Sequence, residues 1–372
     1  MIEITQSLPQ HGHDKGLLTG DSGILLLLHY YSKWGDKSFD KELEELETNC
    51  INSISEGEFS INGGYCSGLS GILEVFNHLN EQKLSEISTS DADEIFMSYL
   101  WRKIKIMMAE EKYDFLYGLI GMIQPFFHFR GGEQYIYEVI DEIYNSAEKN
   151  GDIISFPFRN IFTSEKESNL SISHGVVSVV NFIIKAYNQG INKDVCRVLI
   201  YGLLSYFLTQ KIDRTQYNSC YPNVAIDNRK VSSSRLGWCY GDLSIALMFW
   251  EAAKAIDNQS WKNEAINIFD FACTRRDLEK NLVTNAYICH GTSGIALIFN
   301  RIYRETKFQR YKDARDYWVS KTLALGEKEG YRTGGDDTAI GILGGLTGVG
   351  LMLLACLNEK KCACWDKLLF IN

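Results

Sequence analysis

The sequence predicts an all-α fold, a closed α/α toroid whose two concentric rings of helices come from seven helical-hairpin repeats. Three observations lead to this prediction. A pair of small residues, three positions apart, recurs ahead of an apolar run. A second, amphipathic segment accompanies each apolar run. The chain also has only four prolines in 372 residues, which suits a protein that is almost wholly helical.

The recurring pattern is a glycine, two further residues, a second small residue and then an apolar run. Its seven copies begin at Gly20, Gly68, Gly118, Gly175, Gly241, Gly291 and Gly345. A repeat of about fifty residues has room for two helices of ordinary length and two connections. Small residues three apart lie on one helix face and let a neighbouring backbone come close. In the fourth and fifth copies the second small residue is Ser178 and Ser244, respectively.

Each repeat combines two kinds of helix. The run at 24–28, Ile-Leu-Leu-Leu-Leu, is apolar all round, which predicts a helix buried on all sides. Its counterparts, such as residues 93–108 and 261–275, have one charged face and therefore predict half-buried helices. An open solenoid would need polar capping repeats. The last copy is among the most apolar, so a closed ring in a single domain spanning residues 1–372 is favoured.

Composition and charge limit the choice of partners. A net charge of −9 argues against nucleic acid and acidic membrane surfaces. The stretch 339–357 has no charged residue, but its five glycines and its phase with the repeats predict a buried helix rather than a membrane span. The N-terminus lacks the basic segment and apolar core of a signal peptide. We therefore expect a cytoplasmic protein that is not an integral membrane protein.

The ten cysteines do not have the density of a disulfide scaffold, so in a reducing compartment those paired by position indicate metal binding or catalysis. If the apolar helices all begin at one rim, residues one to four positions ahead of the repeat glycines meet there. Residues of this kind are Asp114, His174, Cys239, Cys289 and His290. Two thiols and one imidazole suffice for a catalytic zinc site, because three protein ligands leave the fourth tetrahedral position open.

The cysteines also have a simpler interpretation, as packing residues. A lone cysteine in an apolar chain is usually a packing residue, and Cys239 alone would be one. The Cys289–His290 pair at the equivalent repeat position is what favours a metal site. Cys66 also precedes its glycine by two positions, although packing is the favoured interpretation there. The longest interval between repeats contains residues 211–234, which predict a long loop over one rim.

Several short motifs together resemble the lanthionine synthetase C family, the lanthipeptide cyclases. They are Trp-Cys-Tyr-Gly at 238–241, Cys-His-Gly at 289–291, Ser-His-Gly at 173–175, Asp114 ahead of Gly118, and Trp-Asp-Lys-Leu-Leu at 365–369. The resemblance covers essentially the whole chain. It implies an α/α toroid with one Zn²⁺ per chain, held by Cys239, Cys289 and His290.

The resemblance also implies a reaction and its partners. A cysteine thiol of a dehydrated precursor peptide adds to a dehydroalanine or dehydrobutyrine and forms a lanthionine or methyllanthionine thioether ring. The peptide would carry a leader. Because the chain shows no dehydratase region, the resemblance implies a stand-alone cyclase that works with a separate dehydratase and a transporter.

The expected mechanism assigns a role to each rim residue. Coordination to zinc deprotonates a thiol, which makes the substrate cysteine nucleophilic. His174 is the candidate acid/base because the ordinary pKa of histidine lies near neutral pH, and Asp114 would orient it. Arg235, four positions before Cys239, would stabilise the enolate oxygen. Tyr240 is either a hydrogen-bond donor at the site or a packing residue.

Three alternatives come from other classes. The same toroid could bind or add glutathione through a zinc-bound thiol. It could be a non-catalytic helical scaffold whose zinc is closed by a fourth ligand such as Cys66. A glycosidase would need two rim carboxylates, and Asp114 has only Asp21 or Asp242 as a partner. Both of these follow the first glycine of their repeats, so the glycosidase is disfavoured.

Overall fold

The computed structural model of the protein is mainly helical. It describes residues 14–35, 38–55, 63–226, 231–329, 340–358 and 364–372. The helices, in chain order, are α1 (Asp21–Trp34), α2 (Asp40–Ser55), α3 (Leu69–Glu81), α4 (Asp93–Ala109), α5 (Leu119–Met122), α6 (Glu133–Ser146), α7 (Val176–Asn188), α8 (Lys193–Thr209), α9 (Arg214–Tyr217), α10 (Asp242–Ile256), α11 (Gln259–Thr274), α12 (Thr292–Thr306), α13 (Gln309–Glu329) and α14 (Leu346–Leu357). Short 3₁₀ turns cover Ser90–Ala92, Gln124–Phe127 and Trp365–Leu369.

The seven repeat glycines are the N-cap residues of seven helices, namely α1, α3, α5, α7, α10, α12 and α14. Each of these helices is buried over most of its length. The two amphipathic segments singled out in the sequence form α4 and α11, each of which buries one face. The predicted hairpin repeats are therefore confirmed, with the first glycine of each copy fixing where its buried helix begins.

The chain divides into two compact units, Met1–Ala92 with Thr284–Leu369 and Asp93–Val283 with Phe370–Asn372. In the first unit, α12 packs on α14, α14 on α1 and α1 on α3. The last repeat thus packs on the first, which is the neighbour relation that a closed ring requires. In the second unit, α5 packs on α7 and α7 on α10, while α8 and α11 cover α7 and α10. The single domain predicted for residues 1–372 stays a prediction.

At several repeats the turn that precedes the helix requires glycine. A Cβ atom at Gly71 would lie 2.1 Å from the carbonyl oxygen of Tyr65, and one at Gly348 would lie 2.0 Å from that of Ile342. In both cases the carbonyl belongs to the residue six positions earlier. The predicted close approach of a backbone is therefore correct, and the turn before the helix supplies that backbone.

In two repeats a serine takes the place of the second glycine, and the helix start is still buried. Ser178 and Ser244 are both fully buried. The Ser178 hydroxyl donates to the carbonyl of Gly175 at 2.8 Å, and the Ser244 hydroxyl donates to that of Gly241 at 3.2 Å. Each hydroxyl thus satisfies its own hydrogen-bonding need inside the first turn of the helix.

The third repeat departs from the predicted pattern. Its buried helix α5 ends after one turn and continues as the 3₁₀ turn Gln124–Phe127, which contains Pro125. A proline has no backbone N–H and its ring clashes with the preceding helical turn, so it stops the α-helix. The sequence pattern gave the start of this helix correctly and missed its early end.

Two small β-ladders interrupt the helices between α6 and α7. Strand β1 (Glu148–Asn150) pairs antiparallel with β2 (Ile153–Ser155), and β3 (Phe158–Arg159) pairs antiparallel with β4 (Lys166–Glu167). Strands of two or three residues are too short to give an alternating pattern in the sequence, so they were not predicted. No helix in the described ranges is long and apolar enough to cross a membrane.

Gly71→Ala tests the close approach at a helix start. Inside a helix, alanine is intrinsically favoured over glycine by about 1 kcal/mol, but here its Cβ would collide with the Tyr65 carbonyl. We expect the free energy of unfolding to fall by about 1–3 kcal/mol, measured by urea denaturation. Gly344→Ala is the control, because a Cβ there meets nothing within 4 Å. Equal stability of the two variants would contradict the packing argument.

Candidate metal centre and catalytic histidine

The sulfur atoms of Cys239 and Cys289 and one ring nitrogen of His290 lie within 4.8 Å of one another. Cys239 is buried, and the other two residues are half-buried. All three come from the turns just ahead of α10 and α12, so the two repeat motifs that the sequence singled out supply this group. Within the ranges that the structure describes, it is the only group of three or more Cys, His, Asp or Glu side chains with this spacing.

Backbone contacts hold each ligand turn in place. The carbonyl of Cys239 accepts hydrogen bonds from the Ile172 amide and the Ser173 hydroxyl, both at 3.2 Å. The Cys289 amide donates to the Leu343 carbonyl at 2.9 Å. These bonds fix where both thiols lie. The turn that carries Cys239 is also bonded to the turn that carries the candidate acid/base.

Gly241 allows the turn before α10 to form. Its φ is +91°, a region that side-chain-bearing residues rarely adopt, and a Cβ there would lie 2.1 Å from the carbonyl oxygen of Arg235. Glycine is therefore required for two independent reasons at this position. The other repeat glycines that cap buried helices have extended backbones, so Gly241 marks the turn with the most demanding geometry.

The donor set matches the chemistry of zinc. Thiolate sulfur and imidazole nitrogen are ligands that Zn²⁺ prefers, and a site with three protein ligands is typical of catalytic rather than structural zinc. Cys66, the possible extra thiol, is buried and does not join the group; its carbonyl accepts from the Leu18 amide at 2.9 Å. No fourth protein ligand therefore closes the group among the residues described.

His174 and Asp114 form the second part of the site. The His174 Nδ1 lies 2.5 Å from Asp114 Oδ2, and the Asp114 side chain is only 1% exposed. The other carboxylate oxygen accepts from the Tyr117 amide at 2.8 Å. An ionised carboxylate can only accept, so Nδ1 carries the proton and Nε2 is left to exchange protons with a bound molecule. The sequence placed both residues on one rim, and the structure joins them directly.

The backbone around His174 is also fixed. The His174 amide donates to the Ser171 hydroxyl at 3.0 Å. Residues 168–170 bond to residues 223–225 of the long loop predicted at 211–234, for example from the Leu170 amide to the Asn223 carbonyl at 2.8 Å. Residues 227–230 of that loop lie outside the described residues. The long loop thus supports the turn that presents the histidine.

Tyr240 lies close to the histidine. The centres of the two rings are 6.4 Å apart, and the Tyr240 hydroxyl accepts from the Asn169 amide nitrogen at 3.4 Å. Burial raises the pKa of the Tyr240 phenol above its ordinary value. The phenol therefore stays protonated at neutral pH and is able to donate a hydrogen bond.

Arg235 occupies the turn before Cys239, and its backbone packs against Gly241. Its side chain is half-buried, and its buried Nη1 makes no hydrogen bond with any described residue. A buried guanidinium nitrogen with no partner is costly. Arg235 therefore keeps one hydrogen-bond donor, in the turn before Cys239, that no described residue uses.

A buried ion pair that no sequence pattern predicts supports this turn. Asp242 and Arg275 lie 2.8 Å apart, and their side chains are 0% and 1% exposed. Asp242 also accepts from the amides of Cys220 and Tyr221. Arg275 donates to the Ser234 carbonyl at 2.8 Å, which ties the pair to the turn that carries Arg235 and Cys239. The only signal in the sequence was an aspartate at the start of an apolar helix.

The two carboxylates considered for a glycosidase are engaged in ion pairs. Asp21 lies 2.5 Å from the Lys15 ammonium group, and Asp242 is paired with Arg275. Neither is left as the partner of Asp114 that a glycosidase would need. The Asp114 carboxylate is hydrogen-bonded to His174 instead.

Fold and site together define a helical-repeat protein with a cysteine–histidine group that could hold a metal ion and a carboxylate–histidine pair on a neighbouring, hydrogen-bonded turn. The profile of the family described as "Lanthionine synthetase C-like protein" matches residues 13–370. The chain belongs to the lanthionine synthetase C-like family.

Individual relatives agree with this assignment. "Nisin biosynthesis protein NisC" of Lactococcus lactis subsp. lactis is 24% identical over 366 residues, which cover 91% of this chain and 84% of that protein. The solved structure of nisin cyclase matches with a TM-score of 0.81 and 20% identity, over 99% of this chain and 95% of that one. This match confirms the fold class, an α/α toroid.

Arg275→Met tests the buried ion pair. It would leave the Asp242 carboxylate buried without its charge partner, so we expect the free energy of unfolding to fall by about 3–5 kcal/mol. The neighbouring Arg276→Met is the matched control. Arg276 is half-buried and donates to the Cys273 carbonyl, so its loss is expected to cost about 1 kcal/mol. Thermal and urea denaturation of both variants measure the difference, and similar losses would contradict a special role for the pair.

Proposed function

We propose that this protein is a zinc-dependent lanthionine-forming cyclase that acts on a dehydrated precursor peptide. The observation that carries the proposal is the group of Cys239, Cys289 and His290, which offers three zinc ligands and, within the part of the chain that the structure describes, no fourth. Membership of the lanthionine synthetase C-like family and the likeness to NisC support it. The reaction joins a peptide cysteine thiol to the β-carbon of a dehydroalanine or dehydrobutyrine and gives a thioether ring.

The protein groups fit one Zn²⁺ per chain. Two soft sulfur donors and one imidazole would hold the ion. When bound, zinc supplies a Lewis acid that lowers the pKa of a peptide cysteine thiol, so that the sulfur reacts as a thiolate. Cys289 and His290 are half-buried, which leaves the group accessible to a peptide.

His174 moves the proton that completes the addition. Attack of the sulfur on the β-carbon places negative charge on the neighbouring carbonyl oxygen, and the α-carbon must then take up a proton. With Nδ1 held by Asp114, the protonated imidazole delivers this proton from Nε2. Asp114 keeps the ring in one orientation and stabilises its positive charge, because the carboxylate is buried and accepts from a backbone amide.

Arg235 and Tyr240 stabilise the developing oxyanion. The Arg235 Nη1 has no hydrogen-bond partner among the described residues, so a charged carbonyl oxygen would satisfy it. The Tyr240 phenol, near the His174 ring, donates a second hydrogen bond. Both groups interact more strongly with the enolate than with the neutral amide, which is the condition for accelerating the reaction.

The proposed activity implies its partners. The substrate is a precursor peptide with a leader, dehydrated beforehand by a separate dehydratase, and the product passes to a transporter. The cyclase works in the cytoplasm, where a reducing medium keeps both the zinc ligands and the peptide cysteines as thiols.

Cys239→Ala tests the metal centre. We expect wild-type protein to bind one zinc per chain with two sulfur ligands, and the variant to lose both the metal and cyclisation. Elemental analysis and X-ray absorption measure the metal and its ligands, and mass spectrometry after thiol alkylation counts the rings formed. Cys196→Ala is the matched control, because Cys196 is a fully buried free cysteine outside the group. Full zinc retention in Cys239→Ala would refute the ligand assignment.

His174→Ala separates proton transfer from metal binding. We expect the zinc content to stay at one per chain while the cyclisation rate falls by about 10²–10⁴-fold, the usual contribution of a general acid. Asp114→Asn removes the charge but keeps the shape, so its rate is expected to fall by less than that of His174→Ala.

His128→Ala serves as the control for loss of a histidine elsewhere in the same compact unit. It should keep both zinc and activity, since His128 ends the 3₁₀ turn after α5 and belongs to no part of the site. If His174→Ala cyclises the peptide at the wild-type rate, the histidine has no part in the chemistry.

A further inference from the structure

An exposed phenylalanine lies against the candidate catalytic histidine. Phe162 is in the loop that joins β3 and β4, and 70% of its surface is exposed. Its ring centre is nevertheless only 5.1 Å from that of His174, in an edge-on arrangement of 79°. Isolated exposed apolar residues are common on proteins, but this one touches the group that would transfer a proton. Its exposed face is therefore within reach of anything bound at His174.

The loop that carries Phe162 is held by several hydrogen bonds. The side-chain oxygen of Asn160 accepts from the amides of Phe162 and Thr163 at 2.9 and 3.2 Å. Its amide nitrogen donates to Glu167 at 2.8 Å, and the Ser164 amide donates to the Asn160 carbonyl at 2.9 Å. Such a turn presents the phenyl ring in a defined place and loses little entropy when the ring is covered.

Tyr117 extends the apolar surface. Its ring stacks on that of His174 at 6.1 Å and 13°, and it meets the Phe162 ring edge-on, also at 6.1 Å. Tyr117 is 38% exposed. We call the exposed faces of Tyr117 and Phe162 the aromatic wall. The wall carries no charge, so it gives a charged side chain no ion pair. It does give an apolar side chain a surface on which to pack.

We propose that the aromatic wall binds an apolar side chain next to the dehydrated residue of the peptide, and so selects which site is cyclised. This inference rests on the proposed cyclase function. His174 must reach the α-carbon of the dehydrated residue, and the next α-carbon of a peptide is about 3.8 Å further along. The rings of His174 and Phe162 are 5.1 Å apart, little more than one such step. A flanking side chain therefore falls on the wall when the reacting carbon faces the histidine.

The test compares two dehydrated peptides in wild type, Phe162→Ala and Phe162→Leu. Each peptide has one cysteine and one dehydrobutyrine, and they differ only in having leucine or asparagine on both sides of the dehydrobutyrine. We expect wild type to favour the leucine peptide about tenfold in kcat/KM, through KM, because part of one apolar side chain is buried. Phe162→Ala should reduce this preference to about twofold or less, and Phe162→Leu should retain part of it.

Tyr137→Ala is the matched control, since Tyr137 is 48% exposed on α6. It should keep the wild-type preference, and all variants should keep their zinc and thermal stability. Equal use of both peptides by wild type, or an undiminished preference in Phe162→Ala, would overturn the proposal.

Calorimetric titration of the same peptides separates this inference from the proposed function. If zinc-loaded wild type forms no ring in either peptide, the cyclase assignment fails. The inference about the wall is then decided by binding alone. Tighter binding of the leucine peptide that Phe162→Ala abolishes would support it, and equal binding of both peptides would refute it.

Discussion

The close contact between a glycine and the turn six residues before it is the constraint on which this structure depends. At several helix starts a Cβ atom would lie less than 2.5 Å from a carbonyl oxygen of that turn, for example at Gly71, Gly175 and Gly348. At these glycines a side chain would collide with the turn, whereas the two repeats with a second serine place its hydroxyl in a hydrogen bond inside the first helical turn. Because the same turn recurs ahead of the buried helices, the residues just before each glycine reach equivalent positions in successive repeats. The same packing requirement thus recurs at Gly175, Gly241 and Gly291, whose turns carry His174 and the three candidate metal ligands.

The site adds polar interactions that the repeat does not need. Gly241 has the positive φ, Asp242 and Arg275 form a buried ion pair, and Arg275 bonds to the carbonyl of Ser234. A buried ion pair is weak evidence for stability, because desolvation offsets much of the attraction. Here it ties the turn before α10 to the end of α11. The turn that carries Arg235, Cys239 and Tyr240 is therefore bonded both to Arg275 and to the turn that carries His174.

The chemistry of the candidate site follows from the contrast between its two parts. Sulfur and imidazole donors on one side suit a metal that makes a thiol nucleophilic. On the other side, a carboxylate with 1% exposure holds one nitrogen of His174 and leaves the other for proton exchange. The proposed division of labour separates activation of the nucleophile from protonation of the product. The aromatic wall adds a means of choosing the substrate, because Phe162 is ordered by its loop and yet 70% exposed.

Much of this structure could be predicted from the sequence, because the same short pattern occurs in it seven times. The glycine pairs predicted all seven helix starts. The phase of the repeats singled out Asp114 and His174, which are hydrogen-bonded, and Cys239, Cys289 and His290, whose ligand atoms lie within 4.8 Å of one another. Local sequence did not give the early end of α5 at Pro125, the two short β-ladders, the Asp242–Arg275 pair or the contact of Phe162 with His174. These depend on residues that are distant in the sequence and follow no period. Repetition is a property that a sequence displays directly, whereas the partner of a buried charge or an exposed ring is decided only when the folded chain brings the two together.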